Sequence, residues 1–273
     1  MNNYSLLREA ISRMAQFQGK LFVLKISGKV FASSSLKEVL EDAANLLFSG
    51  IRLVLVCGAG VQIDEKMKTA GIDIVKKNGI RITPPIAIEL IQSVCLEMRA
   101  RIMEIVEKME NKPAISWPEA IVAESLGENF GRTGKIDAIE TGVFKPAFIK
   151  SSCTPKMFLV SSLAKAKDGN LYNVNADEIA AAIAIALRAK KIIFLSDGGV
   201  HNNNGTIFSR LSISQAEELI KNNTASDGMV SKLKSVVAAA KGGVKSSHIV
   251  GYNPGGFLME IFSTEGLGTI IEG

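Results

Sequence analysis

The chain has 273 residues, of which 47% are hydrophobic, 22% charged and 6% aromatic, and its formal net charge is +5. This length and hydrophobicity allow one large core, or two cores that share a sheet, and argue against a single small domain. Lysines and arginines are spread along the chain with few aromatic residues among them, which argues against nucleic-acid binding. A solvated basic surface and a site for a polyanionic small molecule both explain the charge.

Cysteine and histidine are rare. Cys57, Cys95 and Cys153 are far apart and odd in number, which is unlike a disulfide framework or a zinc cluster and typical of a reducing cytosol. His201 and His248 cannot form a metal site by themselves, so no metal ligand is predicted. The N-terminus lacks a signal-peptide pattern, and no stretch reaches the roughly 18 apolar residues of a membrane span. We therefore expect a cytoplasmic protein that does not bind membranes.

In chain order, strands and helices alternate through the first part of the sequence. Apolar side chains at helical spacing predict an amphipathic N-terminal helix, and two apolar runs predict buried strands, the second followed at once by a glycine turn and a helix. This order indicates a parallel sheet with helices on its faces. The predicted helices are 4–17, 36–49, 61–71 and 84–110, and the strands are 21–26 and 52–57.

The second part of the chain contains shorter elements. An exposed hairpin is predicted at 127–137, a turn at 167–170 and a tight loop at 201–206. A strong helix opens at Asn175, which has capping-box spacing to Glu178. The remaining predicted elements are strands at 157–164, 191–197, 248–250 and 268–271, and helices at 212–222 and 228–241.

Lys25 is the first residue that packing alone explains poorly. It lies near the end of an apolar strand, where an unpaired ammonium is costly to bury. Ligands of open α/β sheets bind beyond the carboxyl ends of the strands, where Lys25 and Gly28 are expected. The alternative is an edge lysine whose head group reaches water.

Small-residue turns follow two of the predicted buried strands. Residues 57–60 read Cys-Gly-Ala-Gly, and residues 196–199 read Ser-Asp-Gly-Gly. Glycines let the backbone approach a ligand closely, and amides at a helix N-terminus donate to anions. Ordinary strand-to-helix turns are also rich in glycine, so either turn by itself has two explanations.

Two charged residues stand at predicted helix starts. Asp177 follows Asn173 and Asn175, and an acid there complements the helix dipole. Lys232 in the first turn of the last long helix opposes the dipole, which indicates an anionic ligand. Small-residue turns, two unexplained lysines and a carboxylate together favour phosphoryl transfer, where a protein mostly positions and neutralises.

These segments resemble the motifs of the amino acid kinase family, in family order and over nearly the whole chain. The resemblance is closest to N-acetylglutamate kinases of the arginine-sensitive type, with some likeness to the kinase-like domain of N-acetylglutamate synthases. It implies an α/β three-layer αβα sandwich with a mainly parallel central sheet and two lobes. The matching segments are VLKISG, CGAGVQID, GIRIT, YNVNAD, FLSDGGV, DGMVSK and HIV followed by EIFSTEGLGTII.

The resemblance implies a role for each lobe and residue. Residues 1–20 would be an oligomerisation and regulatory helix, 21–188 the amino-acid-substrate lobe and 189–273 the nucleotide-binding lobe. The implied catalytic residues are Lys25, Lys232 and Asp177; those binding substrate are Gly28, Gly58, Ala59, Gly60, Arg81 and Asn173; those binding nucleotide are Ser196, Asp197, Gly228 and Met229; those of an arginine effector site are His248, Glu260 and Gly266, with Tyr4 or a neighbour.

The implied reaction is transfer of a phosphoryl group from ATP, with Mg²⁺, to the side-chain carboxylate of N-acetyl-L-glutamate in arginine biosynthesis. The implied assembly is a homo-oligomer, a dimer or a hexamer, with arginine as effector. Two alternatives stay open: a non-catalytic arginine-sensing domain of the synthase type, and a kinase for another acylated acidic amino acid. Ser27, Ala59 and Asp227 replace family glycines and favour the non-catalytic alternative, whereas the two lysines and Asp177 favour the enzyme. Residues 252–254 also depart from the family pattern, in the region of the effector site.

Overall fold

The computed structural model describes residues 3–77, 79–148, 155–202, 204–222, 227–253, 255–263 and 266–272. Cys153 and Pro254 lie outside these ranges, and the side chain of Asp227 is also not described.

Within the described ranges, helices and strands follow one another as predicted in most of the chain. The helices are α1 Asn3–Phe17, α2 Gly28–Ala32, α3 Leu36–Phe48, α4 Gly60–Thr69, α5 Ala87–Glu107, α6 Ala176–Ala186, α7 Ile213–Lys221, α8 Asp227–Lys241 and α9 Gly256–Phe262. The strands are β1 Leu21–Ile26, β2 Arg52–Cys57, β3 Val75–Lys77, β4 Ile80–Ile82, β5 Ala114–Ser116, β6 Ile121–Ser125, β7 Thr133–Ile139, β8 Lys156–Ser161, β9 Leu163–Ala166, β10 Leu171–Val174, β11 Lys191–Ser196, β12 Arg210–Ser212, β13 Ser247–Gly251 and β14 Thr269–Glu272.

The central sheet has eight strands in the order β12-β14-β13-β11-β1-β2-β8-β5. Neighbouring strands run parallel except β13 and β14. Strands from before residue 188 form one half of the sheet and strands from after it form the other, joined where β1 pairs with β11. The mainly parallel sheet with flanking helices confirms the predicted fold class.

The two faces of the sheet carry separate hydrophobic cores, because side chains alternate between faces along each strand. In β1, Phe22 and Leu24 pack in a core with α3, α4 and α5. Leu21 and Val23 face the opposite way and pack in a core with α6 and α8. Lys25 has the same parity as Leu21 and Val23, so its side chain lies on the α6 side of the sheet.

A second, smaller sheet was not predicted. Strands β6, β7, β9 and β10 close into a four-stranded barrel. The single strand predicted at 157–164 is therefore wrong: β8 belongs to the central sheet, β9 belongs to the barrel, and Ser162 separates them. The hairpin predicted at 127–137 does form between β6 and β7, but Thr133 and Gly134 are buried in the barrel rather than exposed.

The helices also differ from the predictions in some details. α5 begins at Ala87, because Pro84 and Pro85 form a preceding turn whose carbonyls accept bonds from Ala87 and Ile88. The short helices α2 and α9 were not predicted. Asn175 is the N-cap of α6, and its Oδ1 accepts a hydrogen bond from the amide of Asp177 at 2.8 Å. The predicted capping box would instead use the amide of Glu178, one residue further along the chain.

Candidate active site

A cleft of about 720 Å³ opens at the carboxyl ends of β1, β2 and β11. The three strands end level with one another, since Ile26 pairs with Cys57 on one side and Leu195 on the other. All residues predicted for catalysis, substrate and nucleotide line this one cleft: Lys25, Gly28, Gly58, Ala59, Gly60, Arg81, Asn173, Asp177, Ser196, Asp197, Gly228, Met229 and Lys232. The structure thus brings together residues that are as far apart in the sequence as Lys25 and Lys232.

Lys25 and Asp177 form a buried ion pair, with Lys25 Nζ 2.6 Å from Asp177 Oδ1. Burial acts to raise the pKa of Asp177, but the charges of Lys25 and Lys232 and nearby hydrogen bonds outweigh it and hold that pKa below its ordinary value. Asp177 is therefore an anion between two cations. Asn175 supports this arrangement, because its Nδ2 donates to Ser231 Oγ at 3.0 Å and so joins α6 to α8.

Lys232 was predicted in the first turn of its helix, but it is the sixth residue of α8, which begins at Asp227, and it therefore lies in the second turn. Its Nζ reaches back along the helix and donates to the carbonyl of Gly228 at 3.0 Å. Burial lowers the pKa of Lys232, and the charge of Asp177 partly opposes this effect. A cation that is partly desolvated and only partly neutralised is suited to bind an anion.

Two glycine turns pack against each other beside Lys25. A Cβ on Gly28 would lie 2.7 Å from Gln62 Oε1 and 3.1 Å from the amide nitrogen of Val61, and one on Gly58 would lie 3.2 Å from Lys25 Cε. Side chains at these positions would push the turns apart or displace the lysine. A Cβ on Gly60 would have no atom within 4 Å, so this position faces open space.

Two of the three departures from the family glycines have a structural explanation. Ala59 has a φ of −117°, which any residue can adopt, and its methyl group is buried in the core with α3 and α5. Ser27 is the N-cap of α2, where its Oγ accepts from the amide of Val30 at 3.4 Å. The backbone angles of Ser27 and Ala59 are ones that any residue can adopt. The side chain of Asp227 lies outside the described residues.

Arg81 lies in β4 of the β3–β4 hairpin and reaches the second glycine turn. Its Nη1 forms an ion pair with Asp64, and its Nη2 donates to the carbonyl of Gly60 at 3.2 Å. Asn173, on β10 of the barrel, also lines the cleft. The two residues predicted to bind the amino acid are thus on separate elements that converge.

Several polar residues of the cleft were not predicted. Lys29 forms an ion pair with Asp197 across the mouth of the cleft, and its place directly after Gly28 was the available signal. Asp64 lies within the segment already recognised as a family motif, next to the glycine turn. Other unpredicted polar residues that line the cleft include Lys76, Thr133, Ser162, His201 and Ser231.

The residues predicted for an effector site lie elsewhere, on the opposite face of the sheet. His248 Nδ1 is 2.8 Å from Glu260 Oε1, and a Cβ on Gly266 would lie 2.5 Å from Glu260 Oε2. Lys191, which was not predicted, lies with its Nζ 2.9 Å from His248 Nε2 and 5.3 Å from the centre of the Phe17 ring in α1. We call Lys191, His248 and Glu260 the buried triad.

The charges of the buried triad follow from its contacts. Burial lowers the pKa of Lys191 to about 8 and lowers the pKa of His248. Burial acts to raise the pKa of Glu260, but bonds from His248 and the amide of Gly268 hold it below its ordinary value. A neutral His248 that donates to Glu260 and accepts from Lys191 satisfies all three groups.

In the described ranges, no three His, Cys, Asp or Glu side chains are grouped so that they could hold a metal ion. Of the helices given above, none is long and apolar enough to cross a membrane.

A mainly parallel α/β sheet with two lysines and an aspartate gathered at its carboxyl edge is an arrangement suited to binding an anionic group such as phosphate. The chain belongs to the amino acid kinase family, whose model matches residues 20–251.

Relatives and solved structures agree with this membership. The chain is 32% identical to the acetylglutamate kinase of Kosmotoga olearia over 97% of this chain and 96% of that protein. It is also 32% identical to the acetylglutamate kinase of Methanoregula boonei over 99% of both chains. An N-acetylglutamate synthase structure from Neisseria gonorrhoeae, in complex with coenzyme A and N-acetyl-glutamate, matches with a TM-score of 0.91 at 24% identity. This chain spans 64% of that synthase chain, and the likeness shows the fold.

Proposed function

We propose that this protein transfers the γ-phosphoryl group of ATP to the side-chain carboxylate of N-acetyl-L-glutamate, as a step of arginine biosynthesis. The buried Lys25–Asp177 pair in a cleft shared with Lys232 is the observation that carries the proposal. Full-length relatives named acetylglutamate kinase support this choice of substrate.

The reaction needs neutralisation and alignment rather than covalent help from the protein. A carboxylate oxygen of the substrate attacks the γ-phosphorus, the bond from phosphorus to the ADP oxygen breaks, and an acyl phosphate and ADP result. Lys25 and Lys232 stabilise the charge on the transferring group and on ADP, and Asp177 holds the two lysines. The amides at Gly28 and Gly60 donate to the phosphoryl oxygens, with Gly58 and Ala59 shaping that turn.

The division of the cleft supports a substrate lobe, 21–188, and a nucleotide lobe, 189–273. Arg81 and Asn173 lie on elements of the first range and are proposed to hold the acylated amino acid. The cleft residues of the second range are proposed to bind ATP: Ser196, Asp197, Gly228 and Met229.

Mg²⁺ fits this site as a companion of the nucleotide. The carboxylates of Asp177 and Asp197 are each paired with a lysine, which leaves Mg²⁺ to be held mainly by phosphate oxygens and water. Bound in that way, the ion would neutralise part of the charge on the ATP phosphates.

A hydroxamate assay tests the proposed function directly, since acyl phosphates react with hydroxylamine. We expect ATP-dependent hydroxamate from N-acetyl-L-glutamate, and less from N-succinylglutamate, N-acetylaspartate, N-acetyl-aminoadipate and free glutamate. A preference for another acid of this panel would redirect the proposal to that substrate. A protein that makes no hydroxamate from any of them but binds arginine would be the non-catalytic alternative.

Arg81→Ala is expected to raise the KM for the acylated amino acid by about tenfold or more and to change the KM for ATP little. The reason is the loss of a charge-assisted, two-pronged contact to a substrate carboxylate. Steady-state kinetics with each substrate varied in turn would measure both constants. Arg81→Lys keeps the charge but not the planar fork and should recover only part of the effect. Lys68→Ala, on an exposed position of α4, is the control, and equal changes in both KM values would contradict the assignment.

The N-terminal helix supports a proposal about assembly and regulation. Ala10 and Met14 pack on the chain's own core, and Phe17 is buried there, but Tyr4, Leu7 and Ile11 are 79%, 58% and 59% exposed. We propose that this exposed stripe joins subunits into a homo-oligomer, with hexamer preferred to dimer.

The buried triad is the proposed arginine site, together with Gly266. Phe17 connects it to α1, which would couple effector binding to assembly. Both oxygens of Glu260 already accept one hydrogen bond from the protein, so a guanidinium would have to share or replace these donors.

The double substitution Leu7→Asp and Ile11→Asp is expected to reduce the oligomer to dimers and to weaken inhibition by arginine, with uninhibited turnover unchanged. Aspartates at these two positions make burial of the stripe between subunits unfavourable, because each unpaired carboxylate would lose its hydration. Light scattering and arginine titration of the hydroxamate reaction measure the two effects. Deleting residues 1–18 is a poorer test, because it also removes Phe17 from the core and could destabilise the fold. The Phe17 ring packs edge-on against the Phe22 ring, with 5.2 Å between the ring centres. A protein that is already a dimer, or one that arginine does not inhibit, would refute the proposal.

A further inference from the structure

A chain of buried hydrogen bonds connects Arg81 with Asn173 beneath the cleft. Asn173 Nδ2 donates to Thr83 Oγ1 at 3.2 Å, the hydroxyl oxygens of Thr83 and Thr133 are 3.1 Å apart, and Thr133 Oγ1 donates to the carbonyl of Arg81 at 2.6 Å. Thr83 is fully buried, and Thr133 and Asn173 are 4% and 9% exposed. These three side chains therefore depend mainly on one another and on the backbone for hydrogen-bond partners.

The chain of bonds has one direction. A threonine hydroxyl has a single proton. Since Thr133 donates its proton to Arg81, the proton between the two hydroxyls belongs to Thr83. The Asn173 amide then donates to Thr83, Thr83 donates to Thr133, and Thr133 donates to the Arg81 carbonyl. Hydrogen bonds in such a chain strengthen one another. Thr133 Oγ1 also accepts from the amide of Thr83 at 3.1 Å.

Thr133 stands where two separate elements meet. It is the first residue of β7 and pairs in register with Asn173 on β10 of the barrel. Arg81 belongs to the β3–β4 hairpin, outside both the barrel and the central sheet. Backbone bonds also join the hairpin to the barrel, from the amide of Arg132 to the carbonyl of Thr83 at 2.7 Å. The Thr133 hydroxyl is the side-chain contact that bonds to the Arg81 backbone itself.

We propose that Thr133 is a positioning residue for the acylated amino acid: its hydroxyl sets Arg81 and Asn173 at a fixed separation. The inference rests on the proposed function, in which these two residues hold that substrate. Thr133 does not touch the nucleotide side of the cleft through any of these bonds. Its effect should therefore fall on one substrate only.

Thr133→Val tests the inference, because valine keeps the branched shape and replaces only the hydroxyl with a methyl group. We expect the KM for N-acetyl-L-glutamate to rise about tenfold or more, and the KM for ATP to stay within about twofold of the wild type. The reason is that β4, which contains Arg81, loses its hydrogen bond from the Thr133 hydroxyl. Thr133→Ser restores the hydroxyl and should recover most of the loss. A merely structural role would change both KM values or be insensitive to the serine rescue.

Two further variants sharpen the test. Adding Thr133→Val to Arg81→Ala should raise the KM for the acylated acid by less than Thr133→Val does alone, because the residue it positions is gone. Thr83→Val interrupts the chain of hydrogen bonds between Asn173 and Thr133, and it provides a second test if Thr133→Val does not fold. It should also raise the KM for the acylated amino acid and leave the KM for ATP unchanged. An active wild type whose Thr133→Val and Thr83→Val variants show both KM values unchanged overturns this inference alone. A wild type that makes no hydroxamate overturns the proposed function and this inference with it.

Discussion

Replacing Lys25 or Lys232 with alanine is expected to lower turnover by roughly 100-fold or more, the scale at which losing one preorganised charge partner in an active site is felt. Both ammonium groups lie in the cleft beside the carboxylate of Asp177, where few water molecules could take over their role. Turnover is measured with saturating ATP and acylated amino acid, so that the loss reflects the chemical step rather than binding.

The controls for this result come from the same elements. Lys234→Ala removes an exposed lysine from α8, two residues from Lys232, and should leave turnover within about twofold of the wild type. Lys25→Arg should not restore activity, because a planar fork does not replace a compact ammonium in a confined site. Near-normal turnover in Lys25→Ala or Lys232→Ala would remove that lysine from the catalytic assignment.

Asp177→Ala is expected to abolish turnover and also to destabilise the fold by about 3–5 kcal/mol, the cost of leaving one member of a buried ion pair without its partner. Lys25 has a side chain only 7% exposed, so its ammonium would be poorly hydrated without the carboxylate. Urea unfolding followed by circular dichroism measures the loss, and the slope of the transition shows whether the unfolding mechanism has changed.

A paired substitution separates charge from packing. Lys25→Met removes the cation, so Lys25→Met with Asp177→Asn should be more stable than Asp177→Asn alone while remaining inactive. The two variants have the same side chain at position 177, so equal stability would mean that an unpaired ammonium does not cause the destabilisation.

The local elements that build the site were predictable from sequence. β1 and β2 have the predicted bounds, 21–26 and 52–57, and β11 ends one residue before the predicted end at 197. Each is a short apolar run that stops at a small-residue turn, and such patterns depend on neighbours in the chain. The meeting of Lys25 with the turns after β2 and β11 also follows, because parallel strands that are hydrogen-bonded side by side bring their carboxyl ends to one edge.

The face on which each charge lies was decided partly by sequence and partly by the fold. The period of two puts Lys25 opposite Leu24, and Lys191 opposite Ile192, in any strand. Which helices cover which face is a property of the connections. α6 and α8 cover the face of Lys25, so Asp177 meets it, whereas α1 and α9 cover the face of Lys191, where Phe17 and Glu260 lie. A lysine therefore lies in the cleft when it is Lys25 of β1, and in the buried triad when it is Lys191 of β11.

Only the tertiary structure decided the substrate side of the cleft. Nothing in residues 157–164 shows that the chain leaves the central sheet at Ser162, since both neighbouring strands are apolar and periodicity does not name a strand's partner. The contacts between Thr133 and Arg81, 52 residues apart, and between Asn173 and Thr83, 90 residues apart, arise because the barrel closes against the hairpin. The short-range sequence pattern determines the strands, the turns and the positions of the lysines within them. Pairing between distant segments determines which polar side chains face one another. The free energy of that pairing depends on burial that exists only after the chain has folded, so the sequence pattern does not show it.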